Sequence, residues 1–392
     1  MNHTIKVVGT IVAMLMASTA VAQAFEDDAL LIWTGAQRDK DQLEKASQAF
    51  SEEFGVTVTV EVVDPDLPGK YQQAASTGDG PDIVLWAHDR FGEWAAGGLI
   101  EPVSPPTDWT DGVLPTALDA VSFDGRVWGY PVSVEAVHLI YNKDIVATPP
   151  ASFEEIGGLD MPDGVTAIMW DYNNTYFTMP LMQAGGGYAF KKVDGKYDGK
   201  DTGVNNAGSI AGAAMVKKLI DDGIMPKGVD YGIMDGAMNK GEVAMVLNGP
   251  WAWGGLDTSG INYGVAPIPT VAGNPSPPFL GVQALAINAA SPNKDLAAEF
   301  IENYLATDDG LGTWNANNGL GALADISAAE AQNDPRVSGM LEAAAIGIPM
   351  PSNPEMGAFW SAMAPALTNI TSGEQSPEAA LNDAAARILG AE

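Results

Sequence analysis

The sequence predicts an α/β fold, because segments with strand and helix periodicity alternate over short connections. Residues 30–33 form a short apolar run that is typical of a buried strand. The next stretch repeats apolar residues at helical spacing, and residues 56–62 alternate with the period of two of a half-buried strand. Such strand–helix–strand units imply parallel pairing in a layered fold. The length of 392 residues favours two domains. Because the sequence has no cysteine to form a disulfide, the domains must be stabilised by their apolar cores.

The first connection is predicted to be one helix. Leu43, Ala46, Phe50 and Phe54 are spaced by three and four positions, which places them on a single stripe. After the second strand, another short helix leads to a third strand at residues 82–85.

Later elements are indicated by strand-like runs and helix caps. Residues 131–136 and 244–247 are apolar and strand-like. Ser291 and Ser376 each precede a proline, which predicts two helices with a hydroxyl cap and proline in the first turn. The second of these helices is expected to stop at Gly390.

The first 24 residues have the three parts of a secretory signal. Lys6 supplies a positive start, residues 7–16 an apolar core, and residues 22–24 a small-x-small cleavage site. The apolar run is much shorter than the roughly 20 residues of a membrane span, and no cysteine is present to carry a lipid. We therefore expect a cleaved signal and an exported protein that begins at Phe25.

Composition excludes several classes of function. Fifty acidic residues against nineteen basic ones give a formal net charge of −31, which excludes nucleic acid and argues against anionic membranes as partners. His3, His88 and His138 lack metal-ligand spacing, so no metal site is predicted. The glycines at 185–187 lack the following Lys-Ser/Thr of a phosphate loop, and no cofactor is predicted.

The most informative segment is the strand at residues 82–85 together with the turn after it. Trp86, Asp89 and Arg90 come within five residues of the carboxyl end of this strand, where ligands bind in open α/β sheets. An aromatic face packs on the C–H face of a sugar, and charged groups hydrogen-bond its hydroxyls. The alternative is a buried strand end with a surface ion pair.

Other candidates lie far away in the sequence. Glu135 is an acid in an apolar strand, so it either has a buried partner or faces water at a sheet edge. Tyr176 follows a polar loop, and Trp251 follows a Gly-Pro break. Trp360 comes at the start of a predicted helix. For any one of these rings, a core position is the alternative.

Several strings together resemble the periplasmic maltose/maltodextrin-binding proteins of ABC importers. The resemblance runs in order over nearly the whole chain after residue 24. It is carried by the segment at residues 77–91 and by Tyr141-Asn-Lys-Asp144, Gly186-Gly-Tyr-Ala-Phe190, Asn248-Gly-Pro-Trp-Ala-Trp253, Asn288-Ala-Ala-Ser-Pro-Asn-Lys294 and Ala358-Phe-Trp360.

The resemblance implies a type II periplasmic-binding-protein fold, in which two lobes enclose a central ligand cleft and the chain crosses between them three times. By this alignment the expected boundaries are a signal peptide at 1–24, an N-terminal lobe at 25–133 and 285–330, a C-terminal lobe at 138–279 and 336–392, and hinges near 134–137, 280–284 and 331–335.

The resemblance also implies a ligand site and departures from the family pattern. The implied ligand-binding residues are Gln37, Arg38, Trp86, Asp89, Arg90, Glu135, Asn174, Tyr176, Trp251 and Trp360. Gln37-Arg38 replaces an Asp-Lys pair of the family, and Asn174 replaces a Glu.

Further departures concern residues that serve the outer sugar rings in the family. Ser361 and Ala364 replace a Tyr and an Arg, and Pro68-Gly69 replaces a Glu pair. Because these changes remove contacts to outer rings, we expect a preference for a disaccharide over its longer homologues.

The implied function is capture of a maltose-like α-glucoside oligosaccharide in the periplasm and delivery to a membrane-embedded ABC permease by a monomer. Trehalose and sucrose are alternative ligands, and a polyamine or peptide is a further one that suits the acidic surface. A secreted glycoside hydrolase is the alternative from another class, since Asp89 and Glu135 could form a carboxylate pair. Arg90 and Arg38 are expected to keep both acids ionised, which argues against an enzyme with a protonated acid catalyst.

Overall fold

The structure is a computed structural model that describes residues 25–26 and 29–390. The predicted signal at residues 1–24 lies outside the described residues. Among the helices that the structure describes, none is long and apolar enough to cross a membrane.

The strands are β1 (Ala29–Thr34), β2 (Thr57–Val62), β3 (Ile83–Ala87), β4 (Ser122–Phe123), β5 (Arg126–Val127), β6 (Tyr130–Ala136), β7 (His138–Asn142), β8 (Thr166–Met169), β9 (Lys191–Val193), β10 (Lys196–Asp198), β11 (Val243–Asn248), β12 (Tyr263–Ala266), β13 (Phe279–Ile287), β14 (Ala322–Leu323) and β15 (Ile348–Pro349).

The α-helices are α1 (Lys40–Ala46), α2 (Gln48–Phe54), α3 (Leu67–Ser76), α4 (Phe91–Ala96), α5 (Thr107–Asp111), α6 (Pro115–Ala120), α7 (Thr175–Ala184), α8 (Ala207–Asp221), α9 (Tyr231–Asn239), α10 (Trp253–Ser259), α11 (Lys294–Phe300), α12 (Asp308–Trp314), α13 (Ile326–Ala331), α14 (Pro335–Ala344), α15 (Met356–Ser372) and α16 (Pro377–Ile388). Short 3₁₀ turns occur at His88–Arg90, Phe153–Gly158 and Pro250–Ala252, and a π-helical turn at Ile301–Leu305.

A larger sheet contains the three strands predicted nearest the N-terminus. Its order is β14-β6-β13-β3-β1-β2, and β15 pairs with β13. β1 runs parallel to both β2 and β3, as the strand–helix–strand pattern predicts, whereas β13 is antiparallel to β3 and β6. Its core includes the buried residues Leu30, Ile32, Val60, Ile83 and Leu285.

A smaller sheet has the order β12-β7-β11-β8 and a separate core. β11 is parallel to β8 and antiparallel to β7. Ile140, Ile168, Trp170 and Val246 lie in its buried cluster, which does not include the residues named for the larger sheet. Two sheets with separate cores give the two-lobe α/β architecture that was predicted.

The chain passes between the two sheets with little intervening structure. Val137 alone separates β6 of the larger sheet from β7 of the smaller one. The predicted hinge residues at 280–284 lie within β13, which is paired on both sides in the larger sheet. The lobe boundaries and hinges implied by the resemblance stay a prediction; the first two predicted hinges lie in or between paired strands, and the third, at 331–335, joins α13 to α14.

The C-terminal helices form a third packed group. Buried residues of α15 and α16, including Phe359 and Leu381, cluster with Met179 and Met182 of α7. The predicted cap of the last helix is confirmed, because the Ser376 hydroxyl accepts a hydrogen bond from the Ala379 amide at 3.2 Å. The predicted stop is also confirmed: Gly390 follows the helix with a φ of 63°.

Two local predictions were wrong. The single helix expected through Leu43 and Phe54 is divided at Ser47, whose hydroxyl donates to the Leu43 carbonyl at 2.8 Å and competes with the helical pattern. Phe54, expected on the apolar stripe, is 45% exposed. Ser291 does not cap a helix; its hydroxyl donates to the Asp82 carboxylate at 2.6 Å, and α11 begins later, at Lys294.

Candidate functional site

Every predicted site residue lies on the wall of one cavity of about 650 Å³, which we call the first cavity. Elements that follow strands of both sheets contribute to it. Its predicted members are Gln37, Arg38, Trp86, Asp89, Arg90, Glu135, Asn174, Tyr176, Trp251 and Trp360. Their common location is a finding; that they bind the ligand stays a prediction.

Two parallel strands bring the first group together. β1 and β3 are neighbours in the larger sheet, so the segments after them meet at the same edge. Arg38 lies in the segment after β1, while Asp89 and Arg90 form the turn after β3. Gly35 permits this approach, since a Cβ atom there would lie 3.2 Å from the Trp86 ring.

The floor of the cavity is a buried ion pair. Arg38 Nη2 lies 3.0 Å from each Glu135 carboxylate oxygen, and Gln283 Nε2 donates to Glu135 Oε1 at 2.7 Å. The side chains of Arg38 and Glu135 are only 10% and 5% exposed. The alternative of a water-facing edge residue is therefore wrong, because β6 has strands on both sides and Glu135 has buried partners.

Asp89 is held differently from the expectation based on sequence. It is 4% exposed, and Trp360 Nε1 donates to its Oδ2 at 2.8 Å. Burial raises the pKa of Asp89 to about 6, and the opposing effects of Arg90 and the Trp360 hydrogen bond are smaller. Arg90 does not keep this pKa low, and its Nη2 forms an ion pair with Glu93 Oε2 at 2.8 Å.

The opposite wall begins at the N-terminus of α7. Asn174 caps this helix, since its Oδ1 accepts from the Tyr176 amide at 3.1 Å. The side-chain carbonyl oxygen of Asn174 is thus already engaged in a hydrogen bond within the protein. The Tyr176 hydroxyl is buried without a hydrogen-bond partner among the described residues. A Cβ atom at Gly281 would lie 3.3 Å from that hydroxyl, so this glycine lets the two walls meet.

Trp251 and Trp360 are positioned by their neighbours. The Trp251 ring folds over Gly249, where a Cβ atom would lie 2.2 Å from the ring. The ring centroid of Trp251 is 6.2 Å from that of Tyr176 and 6.0 Å from Arg38 Cζ. The Trp360 ring packs edge-on against Phe359, with centroids 4.9 Å apart.

Sequence reasoning missed other residues that line the first cavity. These are Asp64, Asp66, Asp171, Phe177, Tyr231, Gln283 and Met350, among others. Gln283 had a readable signal, because it is the one polar side chain in the apolar strand β13. Tyr231 had none, since a tyrosine at a helix start is common on protein surfaces.

The chemistry of this cavity is that of hydrogen bonding beside aromatic faces. Arg38 Nη1, Arg90 Nε and the Tyr176 hydroxyl are buried polar atoms without a hydrogen bond to any described residue. Buried donors of this kind favour a ligand that supplies acceptors. No three His, Asp or Glu residues are placed to hold a metal ion within the described ranges. The cavity therefore suits a ligand with many hydroxyl groups and apolar faces.

Comparison with known proteins gives consistent matches. A model of the family described as bacterial extracellular solute-binding protein matches residues 45–339. A maltotriose-binding protein of Pyrococcus abyssi is 30% identical over 87% of this chain and 77% of its own length. A maltooligosaccharide ABC transporter solute-binding lipoprotein of Streptococcus pneumoniae is 30% identical, over 89% of this chain and 85% of its own. A galactooligosaccharide-binding protein of Bacillus subtilis is 26% identical, over 95% and 91%. These matches confirm the resemblance that the sequence motifs indicated.

Proposed function

This chain belongs to the family of bacterial extracellular solute-binding proteins, and we propose that it captures an α-glucoside oligosaccharide for an ABC importer. As a member of that family it is a binding protein rather than an enzyme. The names of the relatives from Pyrococcus and Streptococcus support a maltooligosaccharide-like ligand.

One observation carries the proposal: Trp86, Tyr176, Trp251 and Trp360 share a single cavity with the Arg38–Glu135 ion pair. Aromatic rings cover the apolar faces of hexoses, and charged groups make the stronger hydrogen bonds to hydroxyls. A polyamine would find Glu135 already paired with Arg38, and Asp89 already hydrogen-bonded to the Trp360 indole N–H. The set therefore favours a sugar.

The expected roles follow from the geometry. Glu135 and Asp89 accept hydrogen bonds from hydroxyls, Arg38, Arg90 and Gln37 donate them, and the rings provide most of the buried area. Asn174 contributes its amide N–H₂ only, because its carbonyl caps α7. Near Trp360, Ser361 and Ala364 provide neither the aromatic ring nor the positive charge that the family has at these positions. This lack of contacts for outer sugar rings is the basis of the predicted disaccharide preference.

We further propose that the protein works in the periplasm as a monomer after removal of its signal. Ligand bound between the lobes stabilises a closed form by hinge motion at the strand crossings. The closed form then docks on the membrane permease.

A thermal-shift screen tests the ligand class. Maltose, trehalose, sucrose, cellobiose, a galacto-oligosaccharide and spermidine are compared, because a ligand that binds only the native state raises the melting temperature. We expect a shift with maltose or another α-glucoside. A shift with the galacto-oligosaccharide alone would favour the chemistry named for the Bacillus relative. Spermidine alone would refute a sugar ligand.

A further inference from the structure

The orientation of the Trp251 ring determines the shape of the cleft. This ring lines the first cavity and also an adjoining cavity of about 740 Å³. It is only partly buried, so it is not locked in a core on every side. A binding residue at a cavity wall keeps one orientation only when the structure behind it is held in place. The contacts that hold the Trp251 backbone therefore bear on binding.

The turn that carries Trp251 is continuous with α10. Pro250–Ala252 form a 3₁₀ turn, and α10 begins at Trp253. Successive residues in such turns are about 100–120° apart around the axis, so Trp251 and Trp253 project to roughly opposite sides. Trp251 lines the cavity, whereas Trp253 is fully buried. A rotation of this turn would move both rings, so the contacts of Trp253 also set the orientation of Trp251.

The Trp253 ring is held by packing rather than by a hydrogen bond. Its Nε1 has no hydrogen-bond partner among the described residues. Arg336 Cζ lies 5.2 Å from the centroid of the Trp253 ring, and the His138 ring centroid lies 5.6 Å away. Tryptophan offers the best aromatic face for a cation–π contact. Arg336 is thus a specific contact that fixes the plane of the Trp253 ring.

Arg336 also contacts α10 one turn further on. Its Nη1 donates to both carboxylate oxygens of Asp257, at 2.9 and 2.8 Å. Asp257 is four positions after Trp253, so the two side chains lie on one face of α10. A single guanidinium therefore contacts this face at two points. Stacking together with forked hydrogen bonds requires the planar arginine group and is beyond the point charge of a lysine.

The position of Arg336 is fixed independently of α10. Its Nε donates to the two Asp334 carboxylate oxygens at 2.9 and 3.0 Å, and the side chain is 20% exposed. Asp334 caps α14 by accepting from the Arg336 amide at 2.8 Å, and it also accepts from Asn318 Nδ2 at 2.9 Å. The guanidinium is therefore held by α14 and its cap.

We propose that Arg336 is a positioning residue for the ligand site, which holds α10 through Trp253 and Asp257 and thereby fixes the orientation of the Trp251 ring. Arg336 is not among the residues that line either cavity, so it acts on the ligand through Trp251. This inference rests on the proposed function, in which Trp251 packs on the sugar. It adds a residue outside the cleft on which affinity depends.

A double-mutant cycle with maltose tests the inference. Arg336→Gln should raise the Kd for maltose about fivefold to tenfold, and Trp251→Ala should raise it at least about tenfold. In the Trp251→Ala background, Arg336→Gln should raise the Kd by less than about twofold, because the ring through which Arg336 acts is gone. The urea midpoint of unfolding should fall by the same amount in both backgrounds, since that loss does not involve the ligand.

Lys217→Gln is the matched control for the loss of a positive charge. Lys217 forms an ion pair with Asp221 at 2.6 Å and lines neither cavity. This variant should leave the Kd for maltose within about twofold of that of the unmodified protein.

A measurement without sugar tests the positioning directly. In protein labelled with 5-fluorotryptophan, the ¹⁹F resonance of Trp251 is identified by its absence from Trp251→Phe. Arg336→Gln should shift or broaden this resonance. Arg336→Lys should do the same, because lysine keeps the charge but not the stacked fork. Lys217→Gln should leave the resonance unchanged.

The outcomes separate this inference from the proposed function. An equal rise in Kd in both backgrounds, or an unchanged Trp251 resonance in Arg336→Gln, would overturn the positioning role and leave sugar binding intact. Absence of maltose binding by the unmodified protein would count against the proposed function, and the ¹⁹F spectra would still decide whether Arg336 holds Trp251. If Arg336→Gln is unfolded by circular dichroism, Asp257→Asn removes the contact with α10 at a carboxylate that is 47% exposed, and it is judged by the same criteria.

Discussion

The polar residues of the first cavity are tied to each other before any ligand arrives. Glu135 accepts three hydrogen bonds, two from Arg38 and one from Gln283. Such prior pairing fixes the direction in which each group faces the ligand, so less order has to be gained on binding. If these residues bind the ligand as proposed, the same pairing makes them contribute to stability as well as to affinity.

Glu135→Gln should therefore weaken both folding and binding. The substitution leaves the Arg38 guanidinium nearly buried without its counter-charge, which costs about 3 kcal/mol of unfolding free energy. Urea denaturation measures this loss, and titration with maltose measures the weaker binding. Glu101→Gln is the control, because its ion pair with Lys294 is more than a third exposed and should contribute at most about 1 kcal/mol. Equal losses in both variants would contradict the buried pair.

Asp89 predicts a pH dependence of binding. In the proposed binding mode, sugar hydroxyls donate to its ionised form, and its pKa is raised to about 6 by burial. Affinity should thus be full well above pH 6 and fall as the pH drops through 6, by about tenfold between pH 7.5 and pH 5. Titrations with maltose across this range measure the change. Asp89→Asn should bind more weakly with a flatter profile; a profile as steep as that of the unmodified protein would assign the effect to another group.

Residue patterns alone could locate only part of this site. Trp86, Asp89 and Arg90 follow the predicted strand at residues 82–85, so the local sequence alone predicted that they lie at the edge of a sheet where ligands bind. Trp360 is 271 positions from its partner Asp89, and Gln283 is 148 positions from Glu135. Contacts over such separations leave no local pattern. Trp360 was predicted only because of the family resemblance, and Gln283 was missed.

At the scale of elements, two of the three predicted hinges coincide with paired strands. β6 and β13 pair side by side in the larger sheet, and Val137 alone links β6 to β7. Alternation with a period of two predicted β2, and short apolar runs predicted β1, β3, β6 and β11. The strand over most of the predicted hinge at 134–137 was predicted, but β13, which contains the predicted hinge at 280–284, was not, because its pairing with β6 is set by tertiary structure.

His88 links the crossing strand β13 to Met350, and its pKa differs between the folded and the unfolded chain. The ring is buried, Nδ1 accepts from the Val282 amide at 3.1 Å, and Nε2 lies 2.9 Å from the Met350 carbonyl oxygen. Both contacts are satisfied by the neutral ring, with its proton on Nε2. Burial lowers the pKa of His88 to about 4. Between about pH 4 and 6.5 the unfolded chain therefore binds more protons than the native protein. The contribution of the neutral His88 ring to the free energy of unfolding is complete above pH 6.5 and is lost as the pH falls.

His88→Gln should reduce the pH dependence of stability. The unfolding free energy of the unmodified protein includes roughly 2 kcal/mol from His88 that is lost between pH 7 and pH 5. The amide of glutamine does not titrate, so the unfolding free energy of the variant should fall by roughly 2 kcal/mol less than that of the unmodified protein between pH 7 and pH 5. Urea denaturation at both pH values gives the two differences. His138, whose pKa is also lowered to about 4 by burial, remains in both proteins. Identical differences would show that His88 does not titrate on unfolding.

At the scale of the whole molecule, the formal charge of −31 is the dominant electrostatic feature. Self-repulsion of this size opposes the compact state. Salt shortens the range of that repulsion, since the Debye length falls from about 30 Å at 0.01 M to about 3 Å at 1 M. Glu135 and Asp89 differ from the surface acids, because Glu135 is paired with a buried arginine and Asp89 accepts a hydrogen bond from an indole N–H.

Stability and affinity should therefore respond differently to salt. Raising NaCl from about 0.01 M to about 1 M should increase the melting temperature by several degrees, since surface repulsion is screened. The Kd for a neutral sugar should change by less than about twofold over the same range, because no net charge is brought into the cleft. KCl is the control for a specific sodium effect and should act equally. A cationic ligand would instead lose affinity steeply as salt is added. A Kd for maltose that rises with salt as steeply as a cation's would therefore contradict a site built for an uncharged ligand.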